Sequence, residues 1–335
     1  MNIIIPMAGR GSRLRPHTLT TPKPLIPVAG KPMVQRIVED LIASYGETPE
    51  EIAFVIGDFG EDVERHLLQV ADQLGSRGRI YHQEQPLGTA HAILCAEPSL
   101  HGPCLIAFAD TLFKADFQPE PAADGTIWVK KVENPESFGV VKTDEEGYIT
   151  DFVEKSPVFV SDLAIVGIYH FKEAEKLRDE LQYLIDNDIK EKGEYQITNA
   201  LENLKNKGFK IKAAPIEEWL DCGNRQSVVA TNSRILELKQ DQETLVSPQA
   251  DIQNCIIIPP CYIGPGAVLQ NSIVGPCVSI GSRTKVSRCI LSHSLIREDS
   301  ELQNATLKGS MIGQHARVNG HIPDLSIGDY CETNC

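Results

Sequence analysis

Residues Ile3 to Pro27 read IIIPMAGRGSRLRPHTLTTPKPLIP, an apolar strand that runs into a Gly/Arg loop and then into a Pro-Lys-Pro clamp. Arg10, Arg13, Arg15, Lys23, Lys31 and Arg36 all precede the first carboxylate of the chain, Glu39. So cationic a block, in a protein of formal net charge −14, implies a local pocket for a polyanion. Gly9 and Gly11 let the backbone bend so that consecutive N–H groups point at one anion, and Arg13 and Lys23 add full charges for phosphate oxygens. The stretch reads as a cradle for a triphosphate.

Two other glycine loops are excluded. A dinucleotide-binding fingerprint needs glycine where Leu14 stands and an acid about 20 residues further on, which is missing. A Walker A loop needs Gly-Lys-Ser/Thr, and the chain has no such triplet. With its strand-loop-helix start, the GxGxR of Gly9 to Arg13 followed by Pro22-Lys23-Pro24-Leu25 resembles the signature of the sugar-1-phosphate nucleotidylyltransferases. These enzymes join a nucleoside triphosphate to a sugar phosphate, and the resemblance extends over nearly the whole chain.

At 335 residues and 41% hydrophobic, the chain can bury a large core and hold two domains. It has no apolar run of about 18 residues and no signal-peptide pattern, so neither a membrane span nor export is expected. Nine cysteines without a CxxC pair fit reduced thiols and a cytoplasmic protein. The acidic balance argues against a nucleic-acid partner, which needs a broad basic face.

Short apolar runs alternate with amphipathic segments to about residue 225, the pattern of a parallel α/β sheet. Expected strands are Ile3 to Pro6, Ile52 to Ile56, Arg79 to Gln83 and Leu105 to Ala109. One helix opens at Pro32 and ends at Gly46. A second, Glu61 to Leu74, should bury Val63, Leu67, Leu68 and Ala71. From Thr126 to Phe171 strands follow one another closely, which predicts an inserted, mostly antiparallel layer covering one side of the site.

The tail changes period. An aliphatic residue recurs at 263, 269, 274, 280, 286, 291, 296, 302, 307, 312 and 318. Ile263, Ile280, Ile296 and Ile312 are spaced by 17, 16 and 16 residues, and three of them precede glycine. Such a period means a solenoid with three flat faces per coil and its aliphatics stacked inside. It resembles the hexapeptide-repeat left-handed parallel β-helix, with Ile327-Gly328 opening a further partial coil. The expected fold is therefore a Rossmann-like mixed α/β sheet, the nucleotidyltransferase domain, over residues 1–225. A helical connector (226–244) and the left-handed β-helix (245–335) follow.

In-line attack on an α-phosphorus needs positioning and charge neutralisation but no general base, because the second pKa of a phosphate ester is about 6. Asp110 ends the run CLIAFAD and so places a carboxylate at the carboxyl end of a strand, where open α/β sheets bind ligands. Asp221 closes Glu-Trp-Leu-Asp-Cys-Gly. The resemblance implies that Asp110 and Asp221 ligate Mg²⁺, and that Ala8, Gly9, Arg10, Gly11 and Ser12 bind the nucleotide with Arg13 and Lys23 as catalytic cations. Asp151-Phe152-Val153-Glu154-Lys155 is similar to the family's Phe-x-Glu-Lys-Pro motif, so Lys155 would grip the sugar phosphate and Glu154 the sugar hydroxyls, with Gly139 and Gly167 beside them. Base selection maps to Gln83, Gly88 and Thr89, Gln85 being the other amide in reach. Arg10, Ser12, Ser156 and Asn199 depart from the common pattern.

The expected reaction uses dTTP and glucose 1-phosphate first, GTP with mannose 1-phosphate or UTP with glucose 1-phosphate next. Two other classes stand beside it: an acyltransferase on the β-helix with His293, His315 or His321 as base, and a non-catalytic sugar-nucleotide sensor. A sensor would be expected to lose Asp110, Asp221 or Lys155, and all three are present. A metal-dependent glycosyltransferase would carry Asp-x-Asp where this chain has Asp110-Thr111-Leu112. Exposed solenoid faces favour a homo-oligomer through the β-helix.

Overall fold

The computed structural model describes residues 1–9, 11–115, 119–320 and 325–334. Two compact units divide the chain without following its order: Met1–Gly9 with Ile37–Trp219, and Arg10–Arg36 with Leu220–Cys335.

The first unit is built on a mixed sheet. Its parallel part comprises β1 (Asn2–Pro6), β2 (Glu51–Ile56), β3 (Arg77–His82) and β4 (Cys104–Ala107), in the order β4-β1-β2-β3. Every residue of β1, β2 and β4 is buried, which is why these strands read as unbroken apolar runs and show no alternation. Helix α1 (Met33–Tyr45) buries Met33, Val34, Ile37, Val38 and Leu41 along one stripe. It stops at Gly46, whose left-handed backbone supports the N–H bond to Ile42 O.

Helix α2 (Glu61–Gln73) corrects one expectation. Leu67, Val70 and Ala71 are buried, but Leu68 is 40% exposed and Val63 only partly covered. Leu68 stands about 100° round the helix from Leu67, on the side away from Val70, and so falls outside the stripe that Leu67, Val70 and Ala71 share.

The next elements are α3 (Thr89–Leu94), β5 (Thr111–Lys114), β6 (Gly125–Lys131), β7 (Gly139–Thr143), β8 (Ile149–Glu154) and β9 (Leu163–Phe171). Strands β6 to β9 do pair antiparallel, yet they form no separate layer. β9 bonds antiparallel to β4, from Ile168 opposite Ala107 to Phe171 opposite Cys104, and extends the sheet as β8-β7-β9-β4. Helices α4 (Ala174–Asp186) and α5 (Ile197–Asn206) and strands β10 (Ile211–Pro215) and β11 (Glu218–Asp221) complete the α/β part, with β10 parallel to β6.

In the second unit α6 (Arg225–Lys239) begins at Asn224, whose side chain accepts from Ser227 N. A left-handed parallel β-helix follows. Its three all-parallel sheets include Val268–Gln270 on Lys285–Ser287, Ile273–Val274 on Ile290–Ser292, and Val278–Ile280 on Leu295–Ile296. All eleven aliphatics of the series from Ile263 to Val318 are at most 1% exposed. The partial coil forms as expected: Ser326–Ile327 pairs with Met311–Ile312. Asn254, Asn271, Arg288 and Asn304 take left-handed backbone at the corners; Asn254 donates to Asn271, and Asn304 accepts from Arg288 and donates to Asn319.

His17, in the second unit, and His170, in β9, are buried and held neutral. Burial is the main cause at both, and each pKa falls to about 4. At His17 the Asp329 charge opposes the shift while Arg297 and Arg225 add to it; at His170 Lys172 adds to it. Between about 4 and the ordinary 6.5 the unfolded chain therefore binds more protons than the folded one, so stability rises with pH across that window. Urea titrations should show unfolding free energy falling as pH drops from 6.5 toward 4, with a shallower slope in His170→Phe. An unchanged slope would contradict the assignment.

Candidate active site

In the first unit the chain leaves β1 after Pro6 and β4 after Ala107. Here β1 passes to β2 on one side and adjoins β4 on the other, so the strand order reverses between β1 and β4. Open α/β sheets bind ligands outside the carboxyl ends of their strands at such a reversal. Met7 N donates to Val55 O at 2.8 Å and Ala109 N to Pro6 O at 3.4 Å. These bonds hold the roots of the two segments side by side, one leading to Ala8 and Gly9 and the other to Asp110.

The neighbouring strand is shaped to this place. β9 shifts register against β6 between Ile165 and Tyr169, a bulge in which Gly167 has φ +94° and its carbonyl accepts from Phe108 N at 3.0 Å. Bulges bend a strand locally and recur beside active sites. Gly167 thus supports the segment that presents Asp110.

Beyond Asp110, Trp219 Nε1 donates to Thr111 Oγ1 at 3.3 Å, and the Trp219 ring lies 5.0 Å from that of Phe138. Phe138 precedes Gly139, which faces Glu154 across the β7–β8 pair. A Cβ on Gly139 would stand 2.9 Å from Glu154 Oε2, so only glycine leaves that carboxylate its position. Glu154 Oε1 pairs with Lys155 Nζ at 3.3 Å, and its Oε2 accepts from Thr198 Oγ1 at 3.3 Å. Lys155 has a left-handed backbone, pinned by its N–H on Phe138 O and by Lys192 Nζ on its carbonyl. Buried Tyr169 has its phenol pKa raised by burial and then by the charge of Glu154. Gly139, Glu154 and Lys155 therefore form one cluster, to which Phe138 and also Thr198, not singled out in the sequence, belong. Past Ser156 a cavity of about 430 Å³ opens, lined by Glu133, Val140, Ser156, Val158, Phe159 and Ser161 among others.

Gln83 and Gly88 also meet. Gln83 Nε2 donates to Gly88 O at 3.2 Å and lies 3.0 Å from His91 Nδ1. Burial lowers the His91 pKa, which favours the neutral ring. Gly88 is obligatory, since with φ +117° a Cβ there would lie 2.4 Å from Tyr195 O. The Thr89 hydroxyl is engaged within the fold, accepting from Ile197 N at the start of α5 and bonding Gln196. These contacts join Gln83 to Gly88 and use Thr89 to seat α5.

The second unit holds the cationic loop, apart from Arg10, which lies outside the described residues. Gly11 has φ +60° and opens a turn of 3₁₀ helix, Ser12–Leu14, that leaves Ser12 and Arg13 exposed and Leu14 buried. A Cβ on Gly11 would come within 2.7 Å of Lys23 Cβ. The glycine of the first motif and the lysine of the second are therefore packed together, with Lys23 only 7% exposed. Thr18 Oγ1 closes the loop on Gly11 O at 2.8 Å. Among the described residues, its chain neighbours apart, no atom lies within 4 Å of a Cβ placed on Gly9, so they leave room there for a larger residue. Asp221, exposed at the end of β11, takes Gly223 N on Oδ1 at 2.9 Å, and its carbonyl accepts from Thr231.

Among the described residues no group of three or more His, Cys, Asp or Glu side chains is placed to hold a metal ion. Enclosure by protein is not what Mg²⁺ asks for: it keeps water and substrate phosphate oxygens and takes one or two carboxylates. Asp110 and Asp221 are each a hard oxygen donor of the kind Mg²⁺ takes. His293 and His315 are exposed, left-handed corner residues of the β-helix, and His315 stacks on Tyr330; His321 lies outside the described residues.

A model of the nucleotidyl transferase family matches residues 2–237. The chain is 28% identical to a glucose-1-phosphate thymidylyltransferase of Streptomyces antibioticus, over 98% of both chains. It is 30% identical to a mannose-1-phosphate guanylyltransferase catalytic subunit beta of Drosophila pseudoobscura pseudoobscura, over 84% of this chain and 71% of that one. A UDP-glucose pyrophosphorylase complexed with UDP-glucose shares the fold with a TM-score of 0.57 and 24% identity, covering 71% of this chain and 98% of the other.

The two loop glycines should behave differently. Gly11→Ala should cost about 1–3 kcal/mol of stability through its left-handed backbone and the contact with Lys23, whereas Gly9→Ala should stay within about 0.5 kcal/mol of the parent. Equal costs in denaturant titrations would contradict this reading of the loop.

Proposed function

Because the chain belongs to the nucleotidyl transferase family, we propose that it transfers a nucleotidyl group from a nucleoside triphosphate to a hexose 1-phosphate. The products are a nucleoside-diphosphate sugar and pyrophosphate. The observation that carries this reading is the run of contacts in the first unit from the Asp110 strand end through Thr111, Trp219 and Phe138 to Gly139, Glu154 and Lys155. It joins a carboxylate at the strand-order reversal to a lysine and glutamate suited to a sugar phosphate.

In this mechanism an ionised oxygen of the sugar phosphate forms a bond to the α-phosphorus, and the bond from that phosphorus to the α,β-bridging oxygen breaks, releasing pyrophosphate. Lys155 holds the attacking phosphate, and Glu154 orients the sugar through its hydroxyls. Lys23 and Arg13 neutralise the triphosphate as charge moves to the leaving group, and Ser12 with Gly11 supplies backbone N–H groups. Gln83, with Gly88, reads the base. Asp110 and Asp221 would hold Mg²⁺, whose charge lets two polyanions approach. In functional terms the catalytic part extends to about residue 225 and the β-helix starts near 245.

The first choice of substrates, dTTP and glucose 1-phosphate, is supported by the full-length similarity to the Streptomyces enzyme. GTP with mannose 1-phosphate is the second reading, favoured by the 30% identical insect relative. Turnover across five nucleoside triphosphates and glucose, mannose, galactose and N-acetylglucosamine 1-phosphates should give one dominant pair, expected to be dTTP with glucose 1-phosphate. In that assay Asp110→Asn should lower kcat by roughly 10²-fold or more, and Lys155→Ala should raise the sugar-phosphate KM about 10- to 100-fold with little change for the triphosphate. A folded Asp110→Asn enzyme of normal rate would remove the assignment.

No helix of the described residues is long and apolar enough to cross a membrane. We propose self-association through the β-helix, where Ile256 and Ile290, 60% and 51% exposed, stand on the same face of the four-stranded sheet. Sedimentation should show an oligomer that Ile256→Glu with Ile290→Glu dissociates. A monomeric parent protein would end this proposal.

A further inference from the structure

The loop between Arg13 and Lys23 is seated on the last coils of the β-helix, within the second unit. His17 Nε2 lies 3.2 Å from Ser326 Oγ, Pro16 packs where a Cβ on Gly328 would meet it at 2.9 Å, and Thr20 Oγ1 donates to Asp329 Oδ2. Thr21 Oγ1 accepts from an Arg297 guanidinium nitrogen at 3.1 Å. Arg297 and Asp329 are paired at 3.4 Å with both side chains only 3% exposed. Gln314 completes the cluster: its Oε1 accepts from Arg297 at 2.9 Å, and its N–H donates to Asp329 Oδ1 at 2.7 Å.

The repeat itself marks this place. Ile263, Ile280, Ile312 and Ile327 are each followed by glycine, and only Ile296 is followed by arginine. A buried ion pair is poor value as a source of stability, because desolvation offsets the attraction. Here one guanidinium nitrogen, Nε, is buried with no hydrogen-bond partner among the described residues. A charge kept at that cost calls for a specific geometric task, and its reach to Thr21 supplies one. From Thr21, Pro22 leads with its fixed φ into the tight turn Lys23–Leu25, closed by Leu25 N on Pro22 O, and Lys23 packs on Gly11.

We propose that Arg297 and Asp329 are positioning residues for the triphosphate-binding loop: anchored on the β-helix, they fix Thr20 and Thr21 and through them the placement of Lys23. The solenoid is thereby part of the nucleotide-binding apparatus. This rests on the reading of Arg13 and Lys23 as triphosphate ligands.

The test uses the full-length protein and four variants: Thr21→Val, which removes the acceptor without touching the β-helix, Thr21→Ser, which keeps it, Arg297→Met, and the double variant Thr21→Val/Arg297→Met. Calorimetric titration with dTTP, UTP and GTP should show Thr21→Val and Arg297→Met binding the preferred triphosphate about 10- to 100-fold more weakly. The double variant should be no weaker than Arg297→Met alone, and Thr21→Ser should match the parent. In turnover, the triphosphate KM should rise by a like factor while the sugar-phosphate KM stays within about twofold, a split that general destabilisation would not produce. Parent-like binding by Thr21→Val, or additive losses in the double variant, would overturn the proposal. A parent protein that binds none of the three triphosphates would overturn the functional reading and the proposal with it.

Discussion

The strand order around β1 is the constraint on which the site depends. With β4 on one side and β2 on the other, the segments leaving β1 and β4 emerge as neighbours, and the hydrogen bond from Ala109 N to Pro6 O ties their first residues. The roots of the segments that lead to Gly9 and to Asp110 are set side by side by topology alone. The bulge at Gly167 and the contacts of Trp219 then extend that place toward Glu154 and Lys155. Chemistry that asks mainly for positioning and charge is well served by a rigid sheet edge of this kind.

The cationic loop answers to a second constraint. Gly11 and Lys23 pack so closely that neither motif has a shape without the other, and the turn between them rests on buried polar groups of the β-helix. His17, neutral and enclosed, belongs to the same seat. The compact unit that contains this loop also contains the solenoid, and the proposed role of Arg297 and Asp329 would give the C-terminal coils a bearing on nucleotide binding.

Much of the fold was legible because its signals are local. The aliphatic period of the tail marks the interior because each face of a coil sends one side chain inward, and all eleven residues are buried. The continuous apolar runs of β1, β2 and β4 announced strands covered on both faces. Leu68 was misread because burial on a helix is decided by angle and not by hydrophobicity. The antiparallel strands expected as an inserted layer over one side of the site instead continue the sheet, because alternation reveals a strand but not its partner, and β9 bonds to β4. In the site, the glycine loop, the Glu154–Lys155 pair and the Gln83–Gly88 segment were visible as short motifs. Trp219 stood in the Glu-Trp-Leu-Asp-Cys-Gly stretch, but the contacts that join Thr198, Trp219 and Phe138 to those motifs were not visible, since they link residues from about 40 to more than 100 positions apart. Arg297 left a faint trace, as the one break in the Ile-Gly repeat.

The central claim is that the sugar phosphate is joined to the α-phosphorus of the triphosphate. A single-turnover reaction with triphosphate carrying ³²P at the α position and, in parallel, at the γ position tests it directly. The account predicts α label wholly in the nucleoside-diphosphate sugar and γ label wholly in pyrophosphate. Label from the γ position in a sugar product, or α label released in nucleoside monophosphate without a sugar attached, would contradict it.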